Sequence, residues 1–582
     1  MKRLNTQNRQ LKRSYQKKFL TFLLILLAIN WIGQYEYQRF DLTSNKRFSL
    51  SQASIQLLKT LHDNVHFIVY LKGDFPQGFK QLQKQTKEML EEFAARSSHI
   101  RFRFVDPTAS STIQERNRRY RRLIDEGLRP TNLQVKTKNG LEQQIIFPGA
   151  IVRYKNKEIA VSLLESQINI PPEQVINHSI ENLEYQLMHA VHSLTQKSKP
   201  SIAFLRGQGE LHGKDIADII QSLRADYSLS FVSPHGNRDS LLDRRTEDNS
   251  GHTSRIMPRY KVVIIAGPDS SFSEKDKLVL DQYLMYGGKI LWLIDPVVAS
   301  MDSIRQSEST VSIDRKLGLQ EQLFTYGIRL NKNLILDINA APIPVHTGQM
   351  GNQPQINFLP WYYDPIISPR SKNPIVKNLN SIRLSFVSSV DTLAVKGIKK
   401  TILLKTSPYS GVEKVPGIIS LAILRKKPDP YFFSGPARNV AVLLEGIFPS
   451  DFTNRLFPGM KSKVFPFRKQ SLSTAMVVVS DADIIRNQLK IPGGYPLPLG
   501  YDQFTRQTYG NKAFILNAIN YLSEGPGLIS LRKRELKLRL LDKEKINKQR
   551  LPWQLFNVLV PLGLMLIFCL VLVIIRKRRF QK

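Results

Sequence analysis

The chain has 582 residues, too many for one hydrophobic core, and its 42% hydrophobic content is ordinary for a globular protein. Its formal charge is +36, but it has no aromatic-and-basic binding motif, zinc-finger spacing or basic-region heptad, so no nucleic-acid partner is expected. The only cysteine, Cys569, lies close to the C-terminal end, which excludes disulfides and thiol chemistry from the long region before it.

In chain order, residues 1–18 form a basic tail with Lys2, Arg3, Arg9, Lys12, Arg13, Lys17 and Lys18 and no acid. An apolar run from Phe19 to Ile32 follows, broken only by Thr21 and Asn30. Extended through Tyr35 it reaches about 17 residues, the low end of the membrane-spanning range. A cleaved signal peptide shares the basic start and short apolar region. The segment Asn30 to Tyr35 has no small-x-small cleavage pattern and there is no lipobox cysteine, so an uncleaved anchor over 19–35 is the expectation.

Residues 36–197 read as a small α/β domain. Val65 to Leu71 is β-rich, Phe79 to Ala95 has helical apolar spacing, and Ile100 to Val105 is a second strand, which together predict a parallel βαβ unit. A basic helix (Ile113 to Gly127) precedes two hairpins, one around Lys138-Asn139-Gly140 and one around Lys155-Asn156-Lys157. Pro171 and Pro172 mark a break, and a helix follows from about Glu173 to Thr195.

Residues 198–525 read as a doubly wound, flavodoxin-like parallel-sheet domain. Its expected strands are Ser201 to Leu205, Lys261 to Ala266, Lys289 to Ile294 and Ala475 to Val479, near-continuous apolar runs separated by helices. The polar stretch 236–258 reads as a loop. Residues 340–470, rich in Pro and Gly with scattered strands such as Thr401 to Leu404 and Val440 to Leu444, read as a β-rich insertion.

A basic juxtamembrane segment, 526–552, includes Arg532, Lys533, Arg534, Lys537 and Arg539 interleaved with leucines. It suits either a helix on the membrane surface or a solvated connector. The run from Trp553 to Ile575 is uncharged for 23 residues, long enough to span a bilayer, and 576–582 is a second basic tail. Basic flanks at both ends place both termini in the cytoplasm and the bulk of the chain outside it.

The motif Gly207-Gln208-Gly209-Glu210-Leu211-His212-Gly213-Lys214 follows a strand and opens a helix, where phosphate loops sit. The interval from Gly207 to Gly213-Lys214 is one residue too long, Asp215 replaces the magnesium-binding hydroxyl, and His212 occupies the third glycine position of a dinucleotide fingerprint. A tight turn is favoured over nucleotide binding. Gly207, Gln208, Gly209, Glu210 and His212 remain the candidate ligand-binding residues, because ligands bind at that edge of such sheets. His189 and His192, with Glu181 and Glu184 nearby, lack further ligands for a metal and read as a surface helix face. There is no HExxH and no GxSxG, and neither a metal nor a cofactor is expected.

Several segments together resemble the GldG family, the auxiliary, so-called substrate-binding membrane protein of a gliding-motility-associated ABC transporter. They are Arg39-Phe40-Asp41-Leu42-Thr43, Lys46 to Ser51, Tyr70 to Pro76 and Phe104-Val105-Asp106-Pro107. The turn Gly207-Gln208-Gly209-Glu210 is similar to a GHGE-type motif with Gln208 in place of histidine; Tyr286 to Lys289, Pro498 to Asp502, Leu531 to Leu536 and Leu540 to Lys543 also fit. The resemblance implies a cytoplasmic ABC ATPase and a polytopic permease as partners. This chain would be a non-enzymatic third component in the inner membrane that supports gliding or linked surface-protein export. Its periplasmic domain would bind an unknown cargo or envelope partner, and its basic segments would meet membrane lipid. The rival reading is a membrane-tethered hydrolase or carbohydrate-active enzyme using carboxylates, which requires converging acids in a cleft at 207–213.

Overall fold

The computed structural model describes residues 16–26, 50–73, 75–109, 112–137, 140–165, 171–196, 198–246, 254–350, 353–455, 465–525 and 543–580, with single residues at 28, 527, 529 and 531. The chain divides into two compact units, 1–534 and 535–582. Residues 16–26 are helical, with Phe19 through Leu26 largely exposed; the rest of the expected first span, apart from residue 28, lies outside the described residues.

The larger unit begins with helix α1 (Gln52–Lys59), capped by the Ser51 hydroxyl. Strand β1 (Val65–Val69), helix α2 (Gln77–Arg96) and strand β2 (Ile100–Phe104) form the expected parallel unit, with Val65 opposite Ile100 and Val69 opposite Phe104. Helix α3 (Ile113–Asp125) leads to the hairpin β3 (Thr131–Thr137) and β4 (Gly140–Ile146), closed through 138–139, which lie outside the described residues. Strands β5 (Gly149–Tyr154) and β6 (Lys157–Ser162) complete a four-stranded sheet in the order β2-β1-β5-β6. Edge strand β2 exposes Arg101 and Arg103, charges that discourage edge-to-edge pairing.

Helix α4 (Pro172–Thr195) packs on α2 and on β5 and β6. It is not the surface face expected from its histidines and glutamates. Leu183, Tyr185, Leu187, Met188 and Val191 are buried, and several polar groups of the helix have partners, whereas the buried Asn182 amide has none among the described residues. Glu184 accepts hydrogen bonds from the Ser51 N–H at 2.8 Å and the Ser54 hydroxyl at 2.7 Å, which ties α4 to the start of α1. His192 pairs with Glu524 at 3.3 Å, and the Ser193 hydroxyl donates to Asp226. The helix is covered on more than one side.

A seven-stranded sheet follows. Its strands are β7 (Ser201–Leu205), β8 (Ser228–Val232), β9 (Val263–Ala266), β10 (Ile290–Leu293), β11 (Ile398–Lys405), β12 (Asn439–Gly446) and β13 (Thr474–Val479), in the spatial order β11-β12-β13-β10-β9-β7-β8. The five strands β8, β7, β9, β10 and β13 are parallel, and β12 and β11 extend the edge by antiparallel pairing. Runs such as VIIA in β9 and ILWL in β10 are buried at every residue, as strands covered on both faces require.

Helix α5 (Ala217–Asp226) and helix α7 (Asn511–Glu524) touch each other, while helix α6 (Glu274–Met285) joins the core that holds Val263, Ile265, Ile290 and Trp292. Because α6 is buried nearly all round, its polar residues need internal partners. Asp281 accepts from the Tyr326 hydroxyl, the Ser450 hydroxyl, the Asp451 N–H and the Gln282 amide, and burial pushes its carboxyl up to about 6 despite them.

Two expectations change. Residues 236–258 are not all loop: Leu242–Thr246 pairs with Ser254–Pro258, a polar hairpin whose residues carry no alternating apolar signal. The strands near 401 and 440, expected inside the insertion, are β11 and β12 of the central sheet. Irregular strands and turns from Val297 to β11, and from β11 to β12, instead build a separate small core around Trp361, Tyr363, Phe386 and Phe433. Rings there approach at 5.0 Å (Trp361 to Tyr363) and 5.3 Å (Tyr362 to Phe433).

The second unit contains helix α8 (Lys543–Phe580), with Pro552 and Pro561 inside it. Gln549 leaves helical geometry, in the turn where the Pro552 ring would press on the preceding carbonyls. Within Gln549–Arg578 the most apolar 18-residue stretch has mean hydropathy 3.2, and this is the one helix among the described residues long and apolar enough to cross a membrane. Arg532, Lys533, Arg534, Lys537 and Arg539 lie outside the described residues.

Candidate functional site

The predicted turn sits at the carboxyl end of β7, next to the end of β9, where strand order reverses direction along the sheet. Gly207 and Gly209 have φ of 123° and 73°. At Gly209 a Cβ would lie 1.7 Å from an Asp269 carboxyl oxygen, so a side chain there would have to displace that carboxyl and adopt a positive φ. Gln208 and Glu210 point inward and are buried, whereas Gly207, Gly209 and His212 are exposed.

The Gln208 N–H donates to Glu210 Oε2 at 2.9 Å, and the Gln208 amide reaches Asp276 Oδ2 at 3.3 Å. Asp276 also accepts from the Gly236 N–H and the Ser273 hydroxyl. The Leu211 N–H bonds to the Ala266 carbonyl, and Arg206 donates to the carbonyls of Glu210 and Leu211. Burial lowers the Arg206 pKa, and its guanidinium lies 4.9 Å from the Phe231 ring centre. Of the N–H groups in this turn, those of Gln208 and Leu211 are engaged within the protein, and Asp218, in the first turn of α5, donates its N–H to Asn487. Oε1 of both Gln208 and Glu210 is buried without a hydrogen-bond partner among the described residues. His212 lies on the outer side, its ring near the Glu210 carbonyl at 3.2 Å.

A much larger opening lies along the same edge. A cleft of about 1420 Å³ runs between the ends of the sheet and the irregular region, reaching from Asp215 past Asp364, Arg383 and Arg486 to Asp502. Its wall is ionic. Arg383 pairs with Asp364 at 2.5 Å and with Asp502 at 3.4 Å, and Arg486 pairs with Asp483 at 2.5 Å.

Behind Asp483 lie two further acids, each immediately beyond a sheet strand: Asp295 after β10 and Asp481 after β13. Asp295 accepts the Ala482 N–H at 2.6 Å, and Asp481 accepts the N–H groups of Ser385 and Asp483. Burial, then the neighbouring Asp483 charge, pushes the Asp295 carboxyl up to about 7. Burial and the charges of Asp295 and Asp483 raise Asp481 further, and burial raises Asp483. Such a group holds protons near neutrality and brings loops from both sides of the sheet edge together.

The cleft includes Asp215, just beyond the predicted motif, but none of Gly207 to His212 lines it. The acids at the strand ends were legible as Asp295-Pro296 and Ser480-Asp481, and the rule that ligands approach the carboxyl ends of parallel strands would have selected them. Asp364 and Arg383 gave no such signal, because their segment shows no clear period.

A mixed α/β body, in a chain that also carries one strongly apolar helix, points to a membrane-associated protein as the class. The particular family follows from residues 199–518, more than half of the chain, which match the family described as an ABC-type uncharacterized transport system; the chain belongs to that family. It has an accessory role in such a system. Residues 44–153 match a domain of unknown function, DUF7088. Among curated proteins none matches.

Among solved structures, the mmIFT52 N-terminal domain is similar at 12% identity, over 58% of this chain and 100% of that one, with a TM-score of 0.29. An exo-β-1,4-mannosidase, Op5Man5 from Opitutaceae bacterium strain TAV5, is similar at 8% identity over 85% of this chain and 56% of that one, with a TM-score of 0.17. Likenesses at these scores carry no argument.

Proposed function

We propose that this chain is a non-catalytic, membrane-anchored subunit that works with an ABC ATPase and a polytopic permease. Its α/β body, a doubly wound flavodoxin-like domain behind a smaller α/β domain, faces the periplasm and receives a cargo or envelope partner. The family match over 199–518 carries the reading. The apolar helix Gln549–Arg578 supports the anchor, and the basic tails support cytoplasmic termini. A second anchor at 19–35 and a link to gliding or surface-protein export rest on the resemblance to the GldG family. The cleft along the sheet edge is large enough for a side-chain-rich segment of a partner. Gly207 to Glu210 would brace that edge, and His212 would lie outside the cleft.

Purification of the tagged full-length chain in mild detergent, with mass spectrometry of co-purifying proteins, tests the assignment. Recovery of an ABC ATPase with its permease is the expected result. Recovery of the chain alone at good yield overturns it.

The converging acids Asp295, Asp481 and Asp483 give the rival hydrolase reading its one support, although Gly207 to His212, where that reading placed the cleft, do not line it. Turnover of a glycoside or ester panel by the purified chain, lost in Asp483→Asn, would establish that reading and remove the non-catalytic one.

A further inference from the structure

Beside the end of β10, and separate from the large cleft, lies a cavity of about 510 Å³. Its walls are mainly apolar: Ile294, Pro296, Leu317, Leu319, Leu323 and Leu330 line it, with Phe324 more than half exposed in the same lining. The volume falls within the range of small-molecule sites, roughly 300–1,000 Å³.

The polar groups in this lining are few and unevenly committed. Lys332 is paired with Asp314 at 2.5 Å, and Arg329 is paired with Asp391 at 2.6 Å. Arg315 differs: its Nε is buried and has no hydrogen-bond partner among the described residues. The Arg315 charge is felt by Asp295 and Asp483, whose carboxyls it tends to keep ionised, but burial raises both of them toward the neutral form. Oδ1 of Asp314 is likewise buried and unpartnered. The lining therefore combines an apolar body with the Arg315 guanidinium, whose Nε is unpartnered among the described residues, while Arg329 and Lys332 are balanced by Asp391 and Asp314.

We infer that this cavity binds a small amphiphile with an apolar body and one anionic head, of the fatty-acid class. Arg315 receives the head, because Arg matches carboxylate and phosphate oxygens through directed N–H donors. The leucines receive the body. The same chemistry is offered by a free acid and by an anionic lipid.

The test uses the full-length chain in nanodiscs of zwitterionic lipid and a dodecanoic acid that carries a photoreactive diazirine. After illumination, peptide mass spectrometry locates the label. Labelling is expected to concentrate on residues 315–332 and to fall about tenfold in Arg315→Met and in Leu330→Trp, which fills the cavity without removing the cation. Arg315→Lys should recover part of the signal, which separates loss of the head contact from loss of the fold. Competition by unlabelled dodecanoate assigns the site to a free acid, and competition by phosphatidylglycerol alone assigns it to a bilayer lipid; both support the proposal. Labelling spread over the chain, equal competition by dodecanol, or labelling of 315–332 unchanged in both Arg315→Met and Leu330→Trp overturns it.

Discussion

At the end of β7 the chain turns within a few residues, and the buried side chains of that turn bond to groups in the turn itself or at the start of α6. At the ends of β10 and β13, along the same sheet edge, the buried groups are carboxyls from segments nearly 200 residues apart, which meet only in the folded chain. The first arrangement is local and written in glycines. The second is assembled by topology and written in charge. One sheet edge thus holds a rigid corner that a sequence motif announces and an ionic cleft that no motif announces, and the cleft is the part with room for a partner.

Mutation can break this contrast, and the largest effect belongs to the assembled side. Arg383→Met leaves the buried Asp364 carboxyl without its ion pair, and loss of roughly 3–5 kcal/mol of stability is expected. Urea denaturation of the solubilised chain, followed by limited proteolysis within 198–525, reads the change; a midpoint within error of the parent would mean that Asp364 is not held by Arg383. On the local side, Gly209→Ala places a methyl group into Asp269 at a positive φ. The same measurement should show a loss of about 3 kcal/mol, and a neutral outcome would show that the corner yields easily.

The third effect sharpens the comparison through pH. The Asp295 carboxyl lies at about 7 in the folded chain, above its ordinary 3.8, so folding favours its protonated form. Stability from this group is fully present below about pH 4 and is lost as pH rises through about 7. Asp295→Asn removes that dependence and should be more stable than the parent at pH 8 by on the order of 2 kcal/mol, with little difference at pH 4. Parallel pH profiles of parent and variant would contradict this assignment.

What the sequence revealed followed the range of the interactions. The βαβ unit of β1, α2 and β2 was legible because its period and turns are local, as was β7, whose apolar run is bounded by Pro200 and Gly207. Strands β11 and β12 were legible as strands but not as members of the central sheet, because antiparallel addition at an edge leaves no mark on their own residues. Of the site, Gly207 to Glu210 stood out by spacing. Arg383 and Asp364 did not, since their pairing depends on how two turns of the irregular region fold back.

Helix α4 carries one more consequence. It closes the first sheet on one side, and on the other its residues reach Asn378 through Glu181, Asn520 through Tyr185 and Glu524 through His192. The first layer is therefore no detachable cassette. A natural or engineered chimera that exchanges it between relatives must carry the whole helix and both sets of its contacts, so recombination within this family should favour crossovers before α1 or after α7 over any cut inside 172–195.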